Sequence, residues 1–350
     1  MTSTHLWVRA EERENERRVG ITPEGVKTLI SDGIQVTVED SPTRIIGIDR
    51  FISAGATPTS QGTWRDAPED AYIFGLKELP DDGTPLIHRH IFFGHAFKGQ
   101  AEAPALLNRF GVGGGTLLDL EYLTDTTGRR LAAFGFWAGY VGAALSVATW
   151  AGQQVRLPLG AVSPWESKEA LILDLTDRLA RAGHRRPTAL IIGALGRTGT
   201  GARALLEVLG IPPTGWDMAE TAHGGPFPQI LDHDLFLNCI LASDGVPVFV
   251  PQSAITMPRR LSVIGDIACD PNSPYNPIPI YDQVTTWDTP TRQITAQPPL
   301  DVMAIDNLPS LLPLESSEDF AGQLLPLLRQ LPTDPDGVWA RAGATFQAHT

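Results

Sequence analysis

Thr188-Ala-Leu-Ile-Ile-Gly-Ala-Leu-Gly-Arg-Thr-Gly-Thr-Gly201 runs from an apolar strand through glycines into the helix Ala202-Arg-Ala-Leu-Leu-Glu-Val-Leu209. About two dozen residues after Gly193, Asp217 closes a short second strand, Thr214-Gly-Trp216. Strand, glycine turn, helix, strand and terminal acid is the order that a dinucleotide site requires. Glycines let the backbone approach a pyrophosphate, the helix start supplies N–H groups and a positive dipole end, and the acid accepts ribose hydroxyls. Ala194, Gly196 and Gly199 occupy the places of the G-x-G-x-x-G pattern, with Gly193 and Gly201 flanking them. A carboxylate at Asp217 repels a 2′-phosphate, so the expected cofactor is NAD rather than NADP. The alternative is a purely structural strand-to-helix turn.

Acid–base groups sit far upstream. Lys77-Glu-Leu-Pro80 closes an apolar strand, and strand ends of open α/β sheets line the ligand crevice. A lysine there serves as a general base if burial lowers its pKa, although Glu78 pulls the other way. From position alone it serves equally as a solvated loop lysine. His95 closes the next apolar strand within Phe92-Phe-Gly-His-Ala-Phe-Lys98. A lone strand-end histidine is commonly a satisfied core residue, but two titratable groups at neighbouring ends carry more weight together. Arg17 and Arg18 precede Thr22-Pro23, where one of them can aim at a substrate carboxylate. The run Glu11-Glu-Arg-Glu-Asn-Glu-Arg-Arg18 otherwise reads as a solvated charge cluster. Arg129 and Arg130 flank an uncharged segment, and Asp119 and Glu121 either orient a cation or lie at the surface.

These groups need a scaffold. Leu6–Arg9, Gln35–Glu39, Ala71–Lys77, His88–His95 and Thr116–Leu120 read as strands. Thr22–Ile30, with Thr22 as N-cap and Pro23 in the first turn, Ile48–Ala54 and Ala101–Phe110 read as helices between them. Such alternation predicts an α/β fold with a parallel, doubly wound sheet. The glycine turn follows only after a complete α/β domain, so a second domain is expected, with Asp234–Ile240 and Ser262–Asp266 as later strands. Leu131–Val155 carries no charge and is long enough to span a membrane. Its interspersed glycines and glutamines favour a buried core or linker helix, the natural bridge between two domains. Asp270–Pro279 is expected to be an ordered or semi-rigid loop, and Glu318–Leu328 a helix returning to the first domain.

Composition narrows the partners. At 42% hydrophobic and 19% charged, 350 residues can bury two cores. A net charge of −13 argues against nucleic acid or an anionic membrane, and an anionic substrate must be met by locally placed arginines and lysines. The two cysteines, Cys239 and Cys269, form no metal spacing, and the eight histidines show no paired pattern. No metal site is expected, and a reducing compartment, the cytoplasm, is the simplest setting. Neither terminus carries a recognisable targeting signal.

Arg18-Val-Gly-Ile-Thr-Pro23, Lys77-Glu78, His95 and the late glycine turn together resemble the alanine dehydrogenase and transhydrogenase superfamily. Within it the chain is most similar to the NAD-dependent, L-lysine-forming saccharopine dehydrogenases. Val38-Glu-Asp-Ser-Pro42, Gly75-Leu-Lys-Glu78, Ala132-Ala-Phe-Gly-Phe136, Ile192-Gly-Ala-Leu-Gly-Arg197, Gly224-Gly-Pro-Phe227, Asn276-Pro-Ile-Pro-Ile-Tyr281 and Asp306-Asn-Leu-Pro-Ser-Leu-Leu-Pro313 carry this likeness in order along nearly the whole chain.

The resemblance implies two Rossmann-like domains flanking an active-site cleft. Residues 1–134 plus 306–350 would form a discontinuous substrate domain, and 135–305 an NAD-binding domain. It implies oxidative cleavage of saccharopine to L-lysine and 2-oxoglutarate, with a related opine or alanine-type dehydrogenase, or a non-catalytic NAD(H) sensor, as alternatives. Lys77 would take the proton of the secondary amine, and His95 would serve water addition and carbinolamine collapse. Arg18, Arg130 and Lys98 would meet substrate, with Glu78 and Glu121 tuning the pair. Gly193, Gly196, Arg197, Thr198, Gly199, Asp217 and Asp306 would meet the cofactor. The protein would be a monomer or small homo-oligomer. Two departures fall in the nucleotide half. His223 stands where the pattern has Arg, and Thr198 replaces a cysteine that would otherwise pair with Cys239.

Overall fold

The computed structural model describes residues 4–183, 185–331, 333 and 337–350. In chain order the elements begin with β1 (His5–Val8), α1 (Pro23–Ser31), β2 (Gln35–Glu39), α2 (Ile48–Ser53), β3 (Thr57–Thr59), β4 (Tyr72–Phe74), β5 (Arg89–Phe92), α3 (Ala103–Gly113) and β6 (Thr116–Asp119). Next come α4 (Gly135–Gln154), α5 (Lys168–Arg181), β7 (Ala189–Ile192), α6 (Arg197–Val208), β8 (Thr214–Trp216), α7 (Met218–Thr221), β9 (Leu235–Asn238) and β10 (Val263–Asp266). The chain ends with β11 (Arg292–Ala296), β12 (Pro299–Met303), α8 (Pro313–Leu328) and α9 (Val338–Gln347). It divides into two compact units, Met1–Ala133 with Pro313–Thr350, and Phe134–Leu312.

The first unit holds a six-stranded sheet in the order β3-β2-β1-β4-β5-β6, parallel throughout. Strand order reverses between β1 and β4, which opens a crevice at their carboxyl ends. Thr22 caps α1 by accepting from the Gly25 N–H (3.1 Å), with Pro23 behind it, as the spacing predicts. The C-terminal helices complete this unit: α8 packs on α1 and α9 on β6. Gln323 clasps the Ala133 peptide on both its N–H and C=O, and Ser317 accepts the Val19 N–H.

The second unit orders its strands β11-β12-β10-β9-β7-β8, with the reversal between β7 and β9. Successive strand side chains feed two separate cores. Ala189, Ile191, Leu235, Leu237 and Val263 join α4, α5 and α6, while Leu190, Ile192, Phe236 and Ile264 pack under Phe227, Phe249 and Ile278. Burial on both faces explains the unbroken apolar runs in these strands. One strand departs from the expected parallel pattern. β11 pairs antiparallel with β12, because only a two-residue turn joins them and a parallel crossover needs far more chain.

Of its core and linker readings, the uncharged segment takes the first. Its helix starts at Gly135 and is a core element of the second unit, packed on α6 and across β9, β10 and β12. The glycines that dilute its hydropathy let backbones touch. A Cβ at Gly139 would sit 1.8 Å from the Thr198 carbonyl, and one at Gly201 1.8 Å from that of Phe136. This crossing fixes the start of α6, and with it the glycine turn. No helix among the described residues is long and apolar enough to cross a membrane. The return to the first unit comes at Pro313 rather than near 306, because Leu308, Leu311 and Leu312 are buried in the core around α4.

Candidate active site

Lys77 and His95 each lie three residues beyond a strand end, past Phe74 of β4 and Phe92 of β5. The ladder runs on beyond the strands, from Gly75 N–H to Ile91 C=O (3.0 Å) and from Phe93 N–H to Leu76 C=O (3.1 Å). The two residues therefore leave neighbouring strands at nearly the same level. The adjacent β1 edge supplies Arg9 and Glu11, and β6 leads into Glu121.

Charged side chains hold the Lys77 backbone. Glu11 accepts from the N–H groups of Leu76 (2.6 Å) and Lys77 (3.0 Å), and the fully buried Arg9 donates to the Lys77 carbonyl. Gly75 is required beneath them, since a Cβ there would meet the Arg9 guanidinium at 2.4 Å. Half-buried Lys77 is held below the ordinary lysine pKa by burial and then by the charge of Arg18, against the pull of Glu16. That favours a neutral amine able to accept a proton. Glu78 is more exposed and pairs with Arg13 at 3.5 Å.

The run from Glu11 to Arg18 is not the solvated cluster its composition suggests. Arg18 and Glu16 are buried and form a two-bond fork, Nε to Oε1 at 2.9 Å and Nη2 to Oε2 at 2.7 Å. Burial pushes the Glu16 carboxyl up, but Arg18 and then Lys77 outweigh it and bring the group to about 2. Arg18, read in the sequence as aimed at a substrate carboxylate, thus commits two donors to Glu16.

Around His95 one carboxylate gathers the cations. Glu121 accepts from Lys98 Nζ (2.6 Å) and from Arg130, and it lies 3.8 Å from His95 Nδ1. Burial opposes its ionisation, yet Lys98 and Arg130 together hold Glu121 below the usual carboxylate value. His95 is 54% exposed, stacks on Phe93 and adopts a left-handed backbone, φ 49°. Non-glycine residues rarely take that conformation, and it persists only where neighbours enforce it. Lys98 and Arg130 are themselves exposed, at 53% and 42%, so their charges face solvent beside the imidazole.

In the second unit the glycine turn sits at the β7/β9 reversal. Gly193 has φ 85°, and a Cβ at Gly199 would meet the Gly193 carbonyl at 2.1 Å. Gly196 is the N-cap of α6, and the first helical bond runs from Thr200 N–H to Gly196 C=O. The N-cap Gly196 has no side chain to cap the helix start, where the first-turn N–H groups of Arg197, Thr198 and Gly199 lie. Asp217 at the end of β8 accepts from Leu195 N–H (3.0 Å) in the turn and from Met218 N–H (3.0 Å). Leu195, Met218 and Leu241, just past the ends of the adjacent strands β7, β8 and β9, are 83%, 82% and 69% exposed, apolar side chains on the strand ends that carry the polar turn. A flat heteroaromatic ring with an attached pyrophosphate matches that pairing. Asp306 is exposed just beyond β12, and His223 packs edge-on against Phe227.

Sequence reasoning missed Arg9, Glu11 and Glu16, and it left Asp119 undecided. Position was the available signal for Arg9 and Glu11, just past the carboxyl end of β1 beside the reversal, and for Asp119 at the carboxyl end of β6. It also missed the exposed Leu195, Met218 and Leu241, which are separated by more than twenty residues.

A family model described as the alanine dehydrogenase/PNT N-terminal domain matches residues 7–141. The chain is 46% identical over 357 residues to a saccharopine dehydrogenase (NAD+, L-lysine-forming) of Yarrowia lipolytica, covering 98% of this chain and 97% of that one. It is 47% identical to the protein of that name from Emericella nidulans, over 99% and 97% of the two chains. For that of Schizosaccharomyces pombe the identity is 42%, over 99% and 98%. A solved structure of an L-alanine dehydrogenase superposes with a TM-score of 0.69 at 17% identity, covering 99% of this chain and 96% of that one, and so shares the fold. Near full-length identity of this order places the chain in the NAD+-dependent, L-lysine-forming saccharopine dehydrogenase family.

Proposed function

We propose that the protein catalyses the NAD-dependent oxidative cleavage of saccharopine to L-lysine and 2-oxoglutarate, and the reverse condensation. The carrying observation is a half-buried lysine with a lowered pKa beside a strand-end histidine paired with Glu121, in a chain similar along its length to enzymes of that name. The first unit takes the substrate and acid–base role, and the second unit takes NAD.

Bound NAD+ supplies the hydride acceptor. Lys77 receives the proton of the substrate's secondary amine as the C–H bond is oxidised, leaving a C=N bond in the substrate. His95 then takes a proton from the water that adds to that carbon, and returns one to the amine nitrogen as the carbinolamine collapses. Lys98, Arg130 and Arg18 are the cations assigned to the substrate carboxylates in a protein that is otherwise acidic. Glu121 lies against the His95 imidazole, and Glu78 and Glu16 oppose the arginines around Lys77. In the nucleotide unit Gly193, Gly196 and Gly199 give a close backbone approach, with Arg197 and Thr198 at the helix start. Asp217 keeps acceptor capacity for ribose hydroxyls, and Asp306 is assigned to the cofactor edge on family likeness. The free thiols Cys239 and Cys269 accord with a cytoplasmic enzyme.

The direct test is NADH oxidation with 2-oxoglutarate and a panel of amines. L-lysine is expected to give the highest kcat/KM, whereas a preference for ammonia with pyruvate would favour an alanine-type reaction. Cofactor choice is tested separately. Asp217 should make NADH bind at least about tenfold more tightly than NADPH, about 1.4 kcal/mol. Equal affinities in calorimetric titrations would remove that role from Asp217.

A further inference from the structure

Asp119 ends β6, is fully buried, and lies beneath the loop that carries His95. Its two oxygens serve different segments: Oδ2 accepts the Gly94 N–H at 3.2 Å, and Oδ1 accepts the Glu121 N–H at 2.8 Å. One carboxylate thus joins the peptide next to His95 with that of the residue paired to its imidazole. Gly94 is shaped for this approach, since a Cβ there would lie 2.6 Å from Leu117 and 3.3 Å from Asp119 Oδ2. The left-handed backbone of His95 immediately follows the clasped Gly94.

We infer that Asp119 is a positioning residue whose carboxylate brackets Gly94 and Glu121, and so sets the geometry of the His95–Glu121 pair. The inference rests on the proposed acid–base role of His95. An ionised carboxylate accepts both N–H groups strongly, whereas protonation turns one oxygen into a hydroxyl and weakens its bond. Burial raises the Asp119 carboxyl to about 6, the two N–H bonds and Arg130 resisting and Glu121 adding to the rise. The charged and titratable groups around it are Glu121 and Tyr122 on its own loop, Arg130, and, through Glu121, Lys98 and His95. α9, packed on β6, contributes Arg341, which donates to the Thr124 carbonyl. The bracket is therefore complete at alkaline pH and weakens as the pH falls through about 6.

Asp119→Asn keeps the shape and removes the charge, so only one of the two N–H bonds survives. The variant is expected to lose roughly ten- to a hundredfold in kcat through misplacement of His95, with the KM for NADH unchanged. Its thermal midpoint at alkaline pH should not fall. A carboxyl raised in the folded state destabilises the protein once ionised, and the amide escapes that cost. The wild-type to variant ratio of kcat should shrink as the pH is lowered from about 8 to about 5, as the wild-type bracket takes its proton. An activity-independent readout keeps this inference separate from the proposed reaction. In amide NMR spectra of the wild type, the Gly94 and Glu121 protons should titrate together, and both should shift in Asp119→Asn. Coupled titration of the two amides supports the bracket even if lysine proves not to be the substrate. Amides that do not respond, an unchanged kcat, or a kcat that falls in step with the thermal midpoint would overturn it.

Discussion

Lys77→Met and His95→Gln are each expected to lower kcat by roughly 10²- to 10⁴-fold while leaving NADH binding intact, the usual cost of removing a general acid–base group. The reaction sets the requirement for two such groups. A secondary amine must lose its proton as hydride departs, and the C=N carbon must then receive an activated water before the amine can leave protonated. Lys77 suits the first task because burial and Arg18 favour its neutral form. His95 suits the second because it is open to solvent, next to Glu121 at 3.8 Å. The backbone clamp of Glu11 and Arg9 on Lys77 makes methionine a clean replacement, since the main chain stays held when the amine is gone. The two groups act in one series of proton transfers, so the double variant should lose less than the product of the single losses. Steady-state kcat with NADH affinity measured by fluorescence quenching checks all three variants. Wild-type kcat in either single variant removes that residue from the mechanism.

Arg18→Ala is expected to cost stability as well as substrate affinity. It strands the buried Glu16 carboxylate, and breaking a buried pair by deleting one partner costs about 3–5 kcal/mol. The sign of its pH dependence follows from linkage. The folded Glu16 carboxyl lies at about 2, below its ordinary 4.5, so the pair's stabilisation is complete above about 4.5 and is lost as the pH falls through 2. Without Arg18, burial pushes the same carboxyl up against the remaining pull of Lys77 alone, and the variant is relieved as Glu16 takes a proton. The gap in urea midpoint between wild type and variant should therefore narrow on acidification from about pH 7 to about pH 4. Glu16→Gln added to Arg18→Ala should recover much of the lost stability at neutral pH. KM for the carboxylate substrates should rise in both variants, with NADH binding unchanged. A rise in KM absent from both variants would limit Arg18 to holding Glu16.

The α/β class, the strand alternation, the α1 cap and the glycine turn were legible locally, because each rests on a spacing of a few residues. Gly193, Gly196 and Gly199 lie within one turn, and the apolar runs of β4, β5, β7 and β9 announce strands buried on both faces. Lys77 and His95 were marked as candidates for a similar reason: strand ends in such sheets line crevices. Which charges go inside was not legible. Glu11 reads as one acid in a solvated run until β4 comes to lie beside β1, and then the N–H groups of Leu76 and Lys77 supply what a buried carboxylate needs. Asp119 is ambiguous until β5 pairs with β6 and brings Gly94 within reach. α4 shows the same limit, because its composition fits a membrane span, a bridge or a core helix, and only the close backbone crossing at Gly139 and Gly201 decides among them. Propensity and spacing are properties of neighbours in sequence, and the sequence alone determined the α/β class and most of the elements that carry the site, though not β3, α5, β11, β12 or α9. Desolvation of a charge depends on partners dozens of residues away, so the tertiary structure alone decided which acids and bases are held, paired and tuned.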